Sequence, residues 1–392
     1  MADLSKAIYL DANATLAPLP EVVDAVVEHL RRPLNPSSIH QYGAYAKYVI
    51  EEARSQVGQY LGAQGAHVVF TSCGTEANNL ALRGLGQATH VFASAIEHTS
   101  VLQPAQHTGA KTIIPVLETG VINVEALEDA LATSDAPIKL VSVMLANNET
   151  GVIQPLTDVV DIARKYNAFV HTDASQAVGK IDVDLEVLGV DMMTLSGHKM
   201  GATQGVAALV FQKSVPLHAI QWGGGQEMRF RAGTENVAAI RGFGVACSHL
   251  VRTTALFQNL ASLRDQLEVG IAEISKESRV FGQHRWRLPN TSCLTMPGVK
   301  HETQLIHFDL ANIAVSSGAA CSSGKVDVSP VLLAMGISKE IAQTALRISL
   351  TPASCREDIE TFITAWRQLY HMQLTKRHLA EVRANQELKQ HA

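Results

Sequence analysis

Lys199 closes the segment Leu195-Ser196-Gly197-His198-Lys199, directly after the apolar run Met192 to Leu195. An amine just past a strand end lies where α/β sheets bind ligands, although a lysine taken alone is most often a solvated surface residue. It becomes a candidate for imine chemistry beside a phosphate site and an acid able to pair with a ring nitrogen. The sequence contains both. Asp173 follows the strand-like Phe169 to His171, in Thr172-Asp173-Ala174-Ser175-Gln176, and a carboxylate there can keep a pyridine nitrogen protonated. The run His67 to Phe70 leads into Thr71-Ser72-Cys73-Gly74-Thr75-Glu76 and then into the helix-like Ala77 to Arg83. A strand, a small-residue turn and a helix N-terminus make an anion site, with Gly74 and Thr75 as the phosphate contacts. An ordinary βα turn with a Ser/Thr cap reads the same way. Ser196 and His198 can complete the phosphate shell, and Gln176 and Asn148 can donate to a phenolic ring oxygen. His98, after His90 to Ala93, offers a flat face for stacking, although a lone histidine is more often structural. Occurring together, these groups point to pyridoxal 5'-phosphate (PLP) as the cofactor.

The elements that must position these residues alternate between β-rich and helical patterns. Strand candidates are His67 to Phe70, His90 to Ala93, Thr112 to Pro115, Leu140 to Leu145, Phe169 to His171, Met192 to Leu195 and Val206 to Phe211. Amphipathic segments such as Val124 to Leu131 and Leu156 to Tyr166 lie between them, which predicts an α/β fold with a mainly parallel sheet covered on both faces. After Asn236 a long helical stretch to about Ser275 reads as a connector to a second, smaller unit. That unit has a strand at Thr291 to Met296, a helix near Glu302 to Leu310, a short strand at Ala314 to Ser316 and a helix from Ile359 to His371. The polar tail Lys376 to Ala392 reads as a surface helix frayed at its end.

Other chemistries are excluded by pattern. Gly84-Leu85-Gly86 lacks the third glycine of a dinucleotide turn, and Gly318 to Lys325 has five residues between its glycines where a P-loop has four. A formal charge of -5 gives no basic field for nucleic acid or an anionic membrane surface. No apolar stretch approaches a membrane span of roughly 18 to 20 residues, and Met1 to Leu10 does not read as a leader, so a cytoplasmic protein is expected. The five cysteines are scattered without a CxxC pair, which indicates neither a disulfide framework nor a zinc site. Cys247 and Cys293 read as core fillers, whereas Cys321 sits in a polar segment of Ser, Gly and Ala suited to a reactive thiol.

These segments resemble the cysteine desulfurases, the NifS/IscS-like group of the class V aminotransferase family of fold-type I PLP enzymes. The similarity runs from Tyr9-Leu10-Asp11-Ala12-Asn13-Ala14-Thr15 through Asn35-Pro36-Ser37-Ser38, Gly74-Thr75-Glu76-Ala77-Asn78-Asn79 and Glu97-His98. It continues through Asn147-Asn148-Glu149-Thr150-Gly151, Asp173-Ala174-Ser175-Gln176 and Ser196-Gly197-His198-Lys199. Its most specific parts are Gly223-Gly224-Gly225-Gln226-Glu227, Arg231-Ala232-Gly233-Thr234-Glu235-Asn236 and Val315 to Val326 around Cys321.

The resemblance implies a PLP-dependent transferase fold (fold type I), with a large seven-stranded domain over 15–255 and a smaller α+β domain from 1–14 and 256–392. It implies Lys199 as the lysine that binds the cofactor and takes the substrate α-proton, Asp173 as the ring-nitrogen partner and His98 as the stacking residue and proton shuttle. It implies Gly74, Thr75, Ser196 and His198 on the phosphate, with Thr234 reaching the phosphate of the neighbouring subunit in a homodimer. Arg347 would grip the carboxylate of L-cysteine, helped by Asn148, and Cys321 would take the sulfur as a persulfide for an iron-sulfur scaffold or a thiolation enzyme. Selenocysteine lyase, or another class V PLP lyase, is the enzymatic alternative, and a partner-binding scaffold that keeps the fold is the non-enzymatic one. The sequence departs from the family at Cys73, Leu16, Thr351 and the segment Gly201 to Gly205, where the usual proline is missing, without losing a group the chemistry needs.

Overall fold

The computed structural model of the chain describes residues 7–318 and 328–390. Its strands are β1 (Ile8–Tyr9), β2 (His67–Thr71), β3 (Thr89–Ser94), β4 (Ala110–Ile114), β5 (Ile138–Ser142) and β6 (Phe169–Asp173). They continue with β7 (Met192–Ser196), β8 (Ala207–Phe211), β9 (Thr291–Thr295), β10 (Ile313–Ala314) and β11 (Ala345–Ser349). All seven sequence-predicted strands of the large sheet form, in the order β2-β8-β7-β6-β5-β3-β4. β8 runs antiparallel to both neighbours, while the pairings among β7, β6, β5, β3 and β4 are parallel.

The apolar runs are continuous in the inner strands because these are buried on both faces, whereas the edge strand β4 is largely exposed. Alternation inside each run sends neighbours to opposite cores. Val68, Phe70, Phe92, Val141, Met193 and Val210 face one core, shared with helices Pro20–Leu30, Gln41–Tyr60 and Val237–Ser248. Val69, Val91, Ala93, Leu140, Met192 and Leu209 face the other, covered by helix Gly74–Arg83. The topology brings the C-terminal ends of β2, β3, β5, β6 and β7 to one edge of the sheet.

A third core gathers Leu10 and Ala12 from the N-terminal segment with Phe257, Leu294, Leu346, Ile348, Phe362 and Trp366. Here β9 pairs with β11 antiparallel and β1 with β10 parallel. The long stretch after Asn236 is not one helix. It is three, Val237–Ser248, Leu250–Gln258 and Ala261–Ile274. The packing changes along the second of them, with Leu250 in the first core and Phe257 in the third, where Leu267 and Ile271 also lie. The strand expected at Ala314 to Ser316 shrinks to Ile313–Ala314, with Ser316 forming an isolated bridge to Arg347. At the C-terminal end one helix spans Arg356–Gln390.

Candidate active site

β2 delivers the anion turn. The helix that follows, Gly74–Arg83, has Cys73 at its N-cap and no side-chain hydrogen bond capping its first turn. The hydroxyls that sequence alone allows as caps are engaged elsewhere: Thr71 Oγ1 donates to the Cys73 carbonyl and Ser72 Oγ to Glu76. The first N–H groups are therefore not satisfied by a Ser/Thr cap and are placed to meet an anion. Glu76 also receives Arg231 Nε at 2.7 Å, which ties the 221–236 loop to the turn.

One turn into the same helix, Asn78 reaches the end of β6. Its Nδ2 donates to Asp173 Oδ2 at 2.8 Å and to Ser100 Oγ at 2.9 Å. Asp173 Oδ1 accepts the Ser175 N–H at 3.0 Å. Burial alone would push this carboxyl up, but the bonds from Ser175 and Asn78 and the nearby charge of Lys199 hold it below its ordinary value. Ser100 in turn sets His98, whose Nδ1 accepts the Ser100 N–H at 3.1 Å and lies 2.7 Å from Ser100 Oγ. With Nδ1 accepting, the ring proton belongs on Nε2. Burial and the charge of Lys199 pull the imidazole's pKa down, against the opposing pull of Asp173. Asn78 and Ser100 carry no chemistry of their own and so escaped the sequence reading of the site. The signal was Asn78 one helical turn beyond the phosphate turn.

Gly74, Thr75, His98, Asn148, Asp173, Gln176, Ser196, His198 and Lys199 all line one cleft at the strand ends, with Cys73 and Ser100 beside them. Lys199 stands on a single 3₁₀ turn after β7, in a bend closed by Gly197 N–H to the Val206 carbonyl at 3.1 Å. A β-carbon at 197 would sit 2.7 Å from that carbonyl, so the bend requires glycine. His198 Nδ1 lies 3.2 Å from Thr15 Oγ1, and burial and the Lys199 charge lower its pKa.

Two expected residues stand apart. Thr234 is exposed in the 221–236 loop and does not line its own chain's cleft. Arg347, on β11, is buried, with Nη2 on Asp11 Oδ1 at 2.6 Å and Nη1 on the Asn148 carbonyl at 3.0 Å. Its Nε is buried without a partner among the described residues. Cys321 lies outside the described residues. The segments on either side of 319–327 meet at one carboxylate: Ser329 Oγ donates to Glu149 Oε2, and a β-carbon on Gly318 would overlap that same oxygen. Burial raises Glu149 to about 7 despite Ser329 and Arg347. Cys247 and Cys293 are buried core residues, as their sequence setting predicts, and burial pushes both thiols up.

A larger cavity of about 760 Å³, near Tyr60, Asp182 and Cys247, gathers no comparable set of polar groups. Chemistry, not volume, picks the strand-end cleft. Its groups fit PLP: an anionic carboxylate for a protonated ring nitrogen, an uncapped helix N-terminus with hydroxyls for a phosphate, and an amine beside a flat imidazole.

Fold and site together define a fold-type I PLP enzyme. The family pattern "Aminotransferase class-V" matches residues 8–362. A cysteine desulfurase IscS of Dictyoglomus turgidum is 37% identical over 370 residues, covering 91% of this chain and 92% of its own. A cysteine desulfurase of Sinorhizobium fredii is 39% identical over 368 residues, 90% of this chain and 94% of its own. Among solved structures, a NifS-like protein from Rickettsia africae superposes with a TM-score of 0.87 at 37% identity, covering 93% of this chain and 99% of its own. SspA in complex with cysteine superposes with a TM-score of 0.76 at 28% identity, covering 89% and 100%. The chain belongs to the class-V aminotransferases and, within them, to the IscS/NifS-like cysteine desulfurases.

Proposed function

We propose that the protein converts L-cysteine to L-alanine and takes the sulfur onto Cys321 as a persulfide. The observation that carries this reading is the meeting of Lys199, Asp173, His98 and an uncapped helix N-terminus in one cleft, in a chain related over nine-tenths of its length to cysteine desulfurases. The binding of cysteine by a structural relative supports the substrate.

Lys199 would hold the cofactor's aldehyde carbon and Asp173 its ring nitrogen. Gln176 and Asn148 would hold the ring oxygen, and Gly74, Thr75, Ser196 and His198 the phosphate. The bound cofactor supplies an electron sink for charge developing at the substrate α-carbon. His98, its tautomer fixed by Ser100, offers its face for stacking and Nε2 for proton transfer. Lys199 takes the α-proton. Arg347, backed by Asp11 and the Asn148 carbonyl, has its buried Nε left for the substrate carboxylate. The Cys321 thiolate then attacks the substrate Sγ. Atoms balance as one thiol plus cysteine giving one persulfide plus alanine, and the persulfide passes to an iron-sulfur scaffold or a thiolation enzyme.

The working form is a homodimer. The loop that carries Thr234 also exposes Trp222 and Met228, it lies against Pro36, Ser37 and Lys47, and Glu227, Met228 and Arg229 adopt positive φ there (44°, 55° and 71°). The Arg54–Glu227 pair at 2.9 Å holds this strained loop in shape, as if to present Thr234 outward to a neighbour's phosphate. A division into 15–255 and 1–14 with 256–392 is supported by the largely separate cores, with Leu16 packing in the third core and Leu288 in the first. The described cysteines are all free thiols, two of them exposed, which supports a cytoplasmic setting.

Incubation with L-cysteine without reductant should add one sulfur to the Cys321 peptide by mass spectrometry. Cys321→Ala should lose sulfide release yet keep the cofactor's visible band. Full activity of that variant refutes the assignment.

A further inference from the structure

Lys180 is a fully buried lysine that the reaction does not use. Its Nζ donates to Asn13 Oδ1 and to Gln176 Oε1, each at 2.7 Å, and the Phe257 ring centroid lies 5.9 Å away. Neither bond goes to a carboxylate. Burial, with the charges of Lys199 and Arg347, brings its proton affinity well below the ordinary lysine value, while Asp11 opposes. Charged or neutral, the amine keeps at least two N–H bonds, and both are taken by amide oxygens.

We propose that Lys180 is a positioning residue for the cofactor site: it fixes which way the Gln176 and Asn13 amides face, and so which donors the cleft presents. The proposal rests on the reading that Gln176 meets the cofactor's ring oxygen. An amide side chain can occupy its place in either of two orientations, exchanging donor for acceptor. With Oε1 drawn to Lys180, Gln176 Nε2 gives one hydrogen to the Asn13 carbonyl at 2.9 Å and keeps the other for the cleft that Gln176 lines. With Oδ1 drawn to Lys180, Asn13 Nδ2 donates to Thr291 Oγ1 at 3.0 Å and to the Asn148 carbonyl at 3.2 Å. That carbonyl also accepts Arg347 Nη1. One buried amine, joined at Asn13 Oδ1 by Asn290 Nδ2 at 3.3 Å, therefore helps to set the polarity of a chain of amides running from the cofactor's ring to the expected carboxylate grip.

The test uses the PLP-loaded enzyme and titrates its visible band with pH. A donor on the ring oxygen withdraws negative charge that holds the proton on the neighbouring nitrogen, so losing the donor raises the midpoint. Lys180→Met, which keeps the length of the side chain and removes both bonds, is expected to raise the midpoint by about half a pH unit or more, the size of one lost hydrogen bond. Gln176→Ala should raise it similarly, and the double variant should go no further than Gln176→Ala, because residues acting through one another are not additive. An unchanged midpoint in Lys180→Met, or additive shifts, overturns the proposal. Where Lys180→Met does not fold, Lys180→Gln, which can satisfy one of the two oxygens, is read against the same outcomes. No shift in Gln176→Ala would instead sink the underlying reading of the ring contact, so the two failures are distinct.

Discussion

Two carboxyl groups buried beside the same cleft, Asp173 and Glu97, are pushed in opposite directions. Asp173 receives the Ser175 N–H and the Asn78 amide and stays anionic. Glu97 receives only the Met144 N–H at 2.7 Å, and its Oε2 has no partner among the described residues. Burial drives it well above the ordinary range, and Asp173 pushes it further. Glu149, with Ser329 as its hydrogen-bond donor and the Arg347 charge nearby, is raised by burial to about 7. All three are buried, so the donors and charges around each carboxyl, rather than burial alone, decide which one is the anion.

The sharpest break is Asp173→Asn, which removes the anion and should lower kcat by about 10²- to 10⁴-fold in an alanine-formation assay. Asn78→Ala deletes a donor and should cost about tenfold in kcat/KM, the worth of one buried charge-assisted bond. The acid limb of its pH profile should move to higher pH as the Asp173 carboxyl rises. Glu149→Gln tests the intermediate case through stability. A carboxyl raised from about 4.5 to about 7 on folding binds its proton more tightly in the folded state, so stability falls as pH rises between those values and is level above. The wild type should lose about 3 kcal/mol across that window in denaturant titrations, and the variant should lose correspondingly less. Glu97→Gln should be nearly silent, within about threefold in kcat, because burial already favours the protonated form of the native group. A large loss there would mean that Glu97 works as an anion, and the comparison would fail.

Much of this floor was legible in the sequence. Six of the seven strands announced themselves because burial on both faces leaves apolar runs, the edge strand β4 being largely exposed, and the site residues placed just after strands by chain position reached one edge. The reversal of β8 was not read, although the ten residues between Ser196 and Ala207 are too few for a parallel crossover. Asn78, Ser100 and Lys180 stayed hidden for another reason. Each acts through another side chain rather than by chemistry of its own, as Asn78 does on Asp173 across 95 residues of chain, and an asparagine in a helix looks ordinary from sequence. The break after Ser248 was invisible because neither glycine nor proline marks it.

The closed bend at Lys199 constrains how the amine can work. Because Gly197 is latched to Val206 and β7 and β8 run side by side immediately beyond, the α-carbon of residue 199 is a fixed pivot with little backbone slack. In the proposed roles of anchoring a ring and ferrying a proton, the nitrogen would travel between its two tasks by rotation about the bonds of its own side chain. Fast local torsions rather than loop rearrangement would then set the tempo of that exchange.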